Sequence, residues 1–285
     1  MKFDLNTVQE DIKTILENEK KNYCIDTLKT IFSLIDLTTL KPTDNSSGIK
    51  EMCSKVNALQ EVYPEMPQVA AICVYPSMVG NVQTELKTKG IQIASVAAGF
   101  PASQTFLSIK AAESELAVAK GANEIDIVIS LGRFLEEDYD FVANEVRIIK
   151  DAIAPAHLKV ILETGLLPSL DAVYKASVLA IHSGADFIKT STGKEEPAAS
   201  LEAVYVMCQA IKEHYDKTGL KIGLKPAGGI STSEEVFKYY AIVKHILGEE
   251  WLNNQKFRIG ASRLANDLIK EVYKFKGETV TKAYF

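Results

Sequence analysis

Along most of the chain, short runs of β-branched and aliphatic residues alternate with longer segments whose apolar residues recur three and four positions apart. The first kind predicts strands and the second amphipathic helices; their alternation from about residue 30 predicts a parallel sheet with helical crossovers. Strands are expected near TIFSLIDL, QVAAICVY, IQIASVA, EIDIVIS, HLKVILE, DFIKT, KIGLKPA and KFRIGA, beginning at about Thr30, Gln68, Ile91, Glu124, His157, Asp186, Lys221 and Lys256. Between them lie helical stretches such as SQTFLSIKAAESELAVAKG and SLDAVYKASVLAIHSG. Each opens on a capping serine, Ser103 or Ser169, and stops at a glycine, Gly121 or Gly184. SRLANDLIKEVYKF supplies a last helix. Eight strand-helix units, recurring roughly every 30 residues, predict an α/β fold of the closed (β/α)₈ TIM-barrel type. No G-x-G-x-x-G follows the first strand, so an open dinucleotide-binding sheet loses its main support.

Residues 1–28 stand outside this repeat. Leu5, Val8, Ile12, Ile15 and Leu16 fall at helical spacing, which predicts an N-terminal helical extension docked on the barrel or, alternatively, a subunit contact in a homo-oligomer. The expected organisation is therefore an extension (1–28), a barrel (29–275) and a C-terminal tail (276–285).

Composition adds exclusions. The chain is 47% hydrophobic and 24% charged, enough apolar material for a sizeable core. With a net charge of −5 it has no overall positive field for a nucleic-acid backbone or an acidic membrane, so neither is expected as a partner. The charges breaking up the first 23 residues exclude a signal-peptide core, and no apolar run approaches a membrane span. Cys24, Cys53, Cys73 and Cys208 are scattered without a C-x-x-C pair, as expected of reduced thiols in a cytoplasmic protein.

The candidate chemistry comes from charged residues that point the wrong way. In EIDIVI the isoleucines Ile125, Ile127 and Ile129 share one face, so Glu124, Asp126 and Val128 turn to the barrel axis. In LKVILE the same parity turns Lys159, Ile161 and Glu163 inward, and in IGLK it turns Gly223 and Lys225 inward, with the glycine opening space beside the lysine. Lys189 cannot be oriented this way because Phe187 and Ile188 are both apolar, but it ends its strand at the rim where barrel enzymes keep their sites. Converging lysines around an aspartate form either an ion-pair network or a catalytic centre. Two lysines held together, and desolvated, give one of them a neutral amine able to attack a carbonyl.

Three loops of small residues follow the last three strands: TSTGK (190–194), AGGIS (227–231) and GAS (260–262). Small side chains let backbone amides approach an anion, and this end of a barrel is the usual phosphate site. Lys194 adds a full charge. Of the four histidines, His157 opens a strand at the opposite end and His182, His214 and His245 lie in helical segments, so no metal site is expected.

IDLTTL (35–40), AAICVYP (70–76), ANEIDIVI (122–129), LKVILETG (158–165), GADFIKTSTGK (184–194), GLKPAGGI (223–230) and RIGAS (258–262) together resemble the deoxyribose-phosphate aldolase family, in family order from about Leu34 to Leu268. The resemblance implies a class I aldolase without metal or organic cofactor, acting on small phosphosugar and aldehyde substrates. It implies Lys189 as the Schiff-base residue, Lys225 as the cation that lowers its pKa, Asp126 in proton transfer with water, and Lys159 hydrogen-bonded in the same network. Asp36 and Cys73 would border the substrate pocket. Gly193, Lys194, Gly228, Gly229, Gly260 and Ser262 would hold the phosphate, with Arg263 departing from the serine common at that position. The penultimate Tyr284 would assist proton transfer from a mobile tail, the alternative being a merely disordered end. Two other readings compete: a lysine-dependent aldolase with a ketose donor, and a barrel that binds phosphosugars without catalysis, which would normally have lost one of Lys189, Lys225 and Asp126.

Overall fold

The computed structural model describes residues 2–285. Two helices, α1 (Leu5–Glu19) and α2 (Ile25–Phe32), precede eight parallel strands: β1 (Ile35–Thr38), β2 (Ala71–Val74), β3 (Gln92–Val96), β4 (Glu124–Val128), β5 (His157–Ile161), β6 (Phe187–Lys189), β7 (Gly223–Lys225) and β8 (Ile259–Ala261). Helices α3 (Ser46–Val62), α4 (Val79–Glu85), α5 (Leu107–Ala119), α6 (Leu131–Leu135), α7 (Tyr139–Ala152), α8 (Leu170–His182), α9 (Leu201–Thr218), α10 (Ser233–Leu247) and α11 (Leu264–Phe275) fill the crossovers and end the repeat. The strands run in the order β7-β6-β5-β4-β3-β2-β1-β8, and bridges Leu224–Phe257 and Ala227–Gly260 close the ring. The expected (β/α)₈ barrel is therefore present.

Parity explains which residues fill the layers. Ile125, Ile127, Leu158, Val160, Ile188 and Leu224 join the apolar layer beneath the helices, which leaves the other face of the same strands for the axis. The strand register brings Asp126 beside Lys159 and Lys189 beside Lys225. Phe187 and Lys189 share the inward face. A Cβ added at Gly223 would overlap the Phe187 ring, so the space this glycine opens is filled by an aromatic side chain and not left beside Lys225.

Three sequence expectations shift. The first strand begins at Ile35 and not at Thr30, because Leu28, Ile31 and Phe32 occupy one buried helical face of α2. The extension is accordingly two helices. On α1, Val8, Ile12 and Ile15 are buried as expected, Leu16 is half-buried and Leu5 is exposed; Gln9 bonds Glu202, and Tyr205 donates to Asp11. Finally, Ser169 caps α8 through the Ala172 amide, but Ser103 caps nothing. It is buried with φ 58°, and its hydroxyl donates to the Val128 carbonyl and accepts from Lys110. Lys110 also pairs with buried Glu145 at 2.5 Å, a charged staple joining α5 and α7 to the end of β4.

Replacing Gly223 with alanine is expected to destabilise the fold by about 1–3 kcal/mol, because the Phe187 ring must leave its packed position. Urea denaturation of the two proteins measures this; an unchanged midpoint would mean that the ring moves freely.

Candidate active site

Charge replaces the usual aliphatic filling along the upper barrel axis. Asp126, on β4, is fully buried. Its Oδ2 accepts from Lys189 Nζ at 2.8 Å and from Lys225 Nζ at 2.7 Å, while its Oδ1 accepts from Lys159 Nζ at 3.1 Å. Lys225 lies in addition 2.5 Å from Asp36 Oδ2, whereas Lys189 pairs with no second carboxylate among the described residues. Below them, Arg258 donates to Asp36 Oδ1 at 2.6 Å and to Glu124 Oε1 at 2.7 Å, and Glu124 also pairs with Lys159.

The two lysines on one carboxylate oxygen are not equivalent. Burial disfavours the charge on both. At Lys225, Asp126 and Asp36 outweigh burial and raise the pKa well above the ordinary lysine value. At Lys189, burial outweighs the attraction of Asp126, Lys225 repels a second positive charge, and the pKa falls below that value. Burial works against Asp126 ionisation too, but Lys159, Lys189 and Lys225 hold its carboxyl well below the usual carboxylate range. Lys159 is raised: burial lowers it less than Asp126, Glu124 and Asp36 raise it. The centre is thus a fixed anion, a fixed cation and one lysine whose proton is comparatively easy to lose.

Cys73 lies among Leu40, Ala71, Ala94 and Val96, an apolar cluster on which Tyr75 and Phe100 pack. Burial pushes its thiol up and keeps it neutral. Asp36 is part of the ion network itself. Burial opposes its ionisation, but Lys225, Arg258 and Lys159 keep it ionised.

A cleft of about 250 Å³ opens above this centre. Lys189 lines it, whereas Lys225, Lys159 and Asp126 do not, so the lysine with the lowered pKa is the one a ligand can reach; Asp36 and Cys73, expected on the border of the pocket, are instead fully buried behind it, in the ion network and the apolar cluster. All six residues expected at the phosphate, Gly193, Lys194, Gly228, Gly229, Gly260 and Ser262, also line it, together with Lys41 and Arg263. Among the described residues, no aspartate or glutamate does. Gly228 has φ +88°, and an added Cβ would come within 2.7 Å of Ala198 Cβ, so this loop needs glycine for both conformation and space. Lys194 spans the cleft and donates to the Leu40 carbonyl at 2.6 Å. Glu163, with φ 52° at the end of β5, accepts the Thr192 amide at 3.1 Å and so anchors the loop carrying Gly193 and Lys194.

Tyr284 is elsewhere, which corrects its expected place in the substrate pocket. Its hydroxyl donates to the Lys55 carbonyl at 2.7 Å, its amide donates to Asn266, and its ring packs edge-on against Tyr63. This aromatic docking holds it against α3 and α11, outside the cleft. Among the described residues, no group of three or more His, Cys, Asp or Glu side chains is arranged to hold a metal ion, and no helix is long and apolar enough to cross a membrane.

Three functional-looking residues escaped the sequence reading. Arg258 is legible: Phe257, just before β8, shares one parity with Ile259 and Ala261, which turns Arg258 inward with Gly260. Glu163 was read as inward, but the loop it anchors was not. Lys41 sits in a polar turn after β1 and gives no pattern of its own.

Residues 30–256 match the model of the family described as DeoC/LacD family aldolase. A deoxyribose-phosphate aldolase of Homo sapiens is 43% identical over 265 residues, covering 89% of this chain and 83% of its own. A deoxyribose-phosphate aldolase of Agrobacterium fabrum is 38% identical over 239 residues, covering 83% and 88%. Among solved structures, the tetrameric deoxyribose phosphate aldolase of Aeropyrum pernix superposes with a TM-score of 0.65 at 21% identity, covering 95% of this chain and 99% of that one, a likeness of fold. Matched by the family model over residues 30–256 and 43% identical to a relative covered over most of its length, this chain belongs to the DeoC/LacD aldolase family.

Proposed function

We propose that this protein is a class I deoxyribose-phosphate aldolase, reversibly cleaving 2-deoxy-D-ribose 5-phosphate to D-glyceraldehyde 3-phosphate and acetaldehyde, with Lys189 as nucleophile. The observation that carries the reading is the asymmetry at Asp126: Lys225 is bound by two carboxylates and keeps its proton, Lys189 by one, and only Lys189 borders the cleft. The names of the relatives support the substrate, and a cleft with cations and no carboxylates on its wall supports a phosphorylated one.

The neutral Lys189 amine adds to the substrate aldehyde carbon, and loss of water gives an imine. Removal of the proton from the C3 hydroxyl then lets the C2–C3 bond break. Its electron pair passes to the imine nitrogen as an enamine, and D-glyceraldehyde 3-phosphate departs. Protonation of the enamine carbon and hydrolysis release acetaldehyde and regenerate the amine. Asp126, firmly ionised, is by itself a weak base; its part in proton transfer is to orient a relay water against Lys225, the neighbour with protons to give. Lys159 fixes the other oxygen of Asp126. Leu40, the member of the Cys73 cluster that lines the cleft, suits the methyl end of acetaldehyde. Self-association belongs to the same proposal, on the ground that Phe106, Ile109 and Leu116 stand exposed on and beside α5.

Acetaldehyde with sodium borohydride is expected to leave an ethyl group on Lys189, since hydride adds to the imine carbon and a proton to nitrogen; peptide mapping by mass spectrometry reads the position. Label on Lys225 alone would reverse the assignment of the two lysines, and absence of label would remove the class I reading. Changing Lys225 to leucine is expected to raise the Lys189 pKa and move the pH profile of trapping upward, each unit corresponding to about 1.4 kcal/mol and a tenfold loss of reactive amine near neutrality. Lys225→Arg keeps the charge and should retain more of the low-pH rate; coincident profiles with reduced amplitude would make Lys225 a substrate-positioning group. Lys194→Met is expected to raise KM for the phosphorylated sugar roughly tenfold while affecting kcat much less. A loss confined to kcat would contradict a phosphate-binding role.

A further inference from the structure

Beneath the reacting lysine lies a second charged layer that the mechanism above does not use. Arg258 is 1% exposed and bridges two carboxylates: Asp36 Oδ1 at 2.6 Å, and both oxygens of Glu124 at 2.7 and 3.1 Å. Its Nε donates to the Asn254 carbonyl, which fixes the plane of the guanidinium. Glu124 is as deeply buried and pairs in turn with Lys159, which reaches Asp126. Neither Arg258 nor Glu124 pairs with Lys189 among the described residues, and neither lines the cleft.

Their influence on Lys189 runs through the carboxylates. By occupying Asp36 Oδ1, Arg258 leaves Asp36 Oδ2 as the oxygen facing Lys225. By holding Lys159, Glu124 limits how much of that cation is directed at Asp126. The charged and titratable groups around the Lys189 amine are Asp126 on β4, Lys225 on β7 and Cys73 on β2. Asp36 on β1, Lys159 on β5, Glu124 on β4 and Arg258 just before β8 lie behind them, and Glu163 sits at the rim on the Thr192 amide. Across the two charged layers of the barrel axis, Asp36, Glu124 and Asp126 thus face Lys159, Lys189, Lys225 and Arg258, so with all ionised one positive charge is in excess. Lys189, the member held by a single carboxylate, is where that excess is most easily relieved.

We propose that the Arg258–Glu124 pair is a positioning device for the nucleophile: it fixes the charge balance of the barrel floor and so sets how readily Lys189 gives up its proton. The inference rests on Lys189 being the Schiff-base residue. It distinguishes charge from scaffolding because the two members act in opposite senses. Removing the Glu124 charge makes the floor more positive and favours neutral Lys189; removing the Arg258 charge makes it more negative and favours the ammonium form.

The test is the pH profile of borohydride trapping with acetaldehyde for wild type, E124Q, R258Q, R258K and the double variant E124Q/R258Q, each first checked for native circular dichroism. E124Q is expected to shift the profile to lower pH and R258Q to higher pH. Each shift should be roughly half a pH unit or more, a threefold or larger change in rate on the acidic limb. R258K, which keeps the charge, and the double variant, which removes one of each sign, should lie near wild type. E124Q keeps its shape, so if R258Q fails to fold, E124Q and R258K carry the test. Profiles of E124Q and wild type that coincide, or shifts of the same sign in E124Q and R258Q, overturn the inference and leave the pair a structural brace. Absence of trapping in wild type would remove the nucleophile assignment itself, a different result from trapping with unmoved profiles.

Discussion

Two lysine amines donate to the same oxygen of one buried aspartate, and the rest of the site depends on how that oxygen is shared. Burying an ion costs several kcal/mol unless partners replace its water, so a cluster of lysines inside a barrel is tolerable only with carboxylates placed among them. Asp126 alone would leave two cations in competition. Asp36 resolves the competition by binding Lys225 a second time, which fixes the proton there and leaves Lys189 less firmly charged. An amine that gives up its proton more readily thus arises from unequal pairing, with desolvation as the force that makes the inequality matter.

The barrel supplies this arrangement cheaply. Parallel strands in register bring Asp126 level with Lys159 and Lys189 level with Lys225, and parity turns all four to the axis without any special loop. Gly223 makes room for Phe187, which fills the layer below Lys189. Above, the glycines of the last loops and the cations Lys41, Lys194 and Arg263 form a wall suited to an anion, reached from the same cleft as Lys189. The proposed nucleophile and the proposed phosphate wall therefore border one small volume, which suits a substrate with an aldehyde at one end and a phosphate at the other.

Much of this was legible in the sequence because period-two alternation is a direct record of which way a side chain points. Asp126, Lys159 and Lys225 were read inward from their aliphatic neighbours, and the glycine loops from their composition. Lys189 was not, since Phe187 on the inner face and Ile188 on the outer are both apolar; it takes Gly223, 36 positions further along the chain, to accommodate the ring. Local patterns failed in the same way at α2, whose β-branched Thr30 and Ile31 resemble a strand until Leu28 and Phe32 are counted on its face. Tyr284 depends on aromatic contacts with Tyr63 and Phe285 that no local pattern encodes, and the pairing of Arg258 with Asp36 spans nearly the whole chain.

Lys189 and Lys225 differ in proton affinity although they share one acceptor oxygen. Heteronuclear NMR titration of the lysine side-chain nitrogens in ligand-free protein, assigned by single substitutions, measures this without any chemistry. Lys189 is expected to lose its proton below the ordinary lysine value of about 10.4 while Lys225 remains an ammonium throughout the range in which the protein stays folded. A Lys189 that titrates at or above that value, or a Lys225 that deprotonates first, would contradict this.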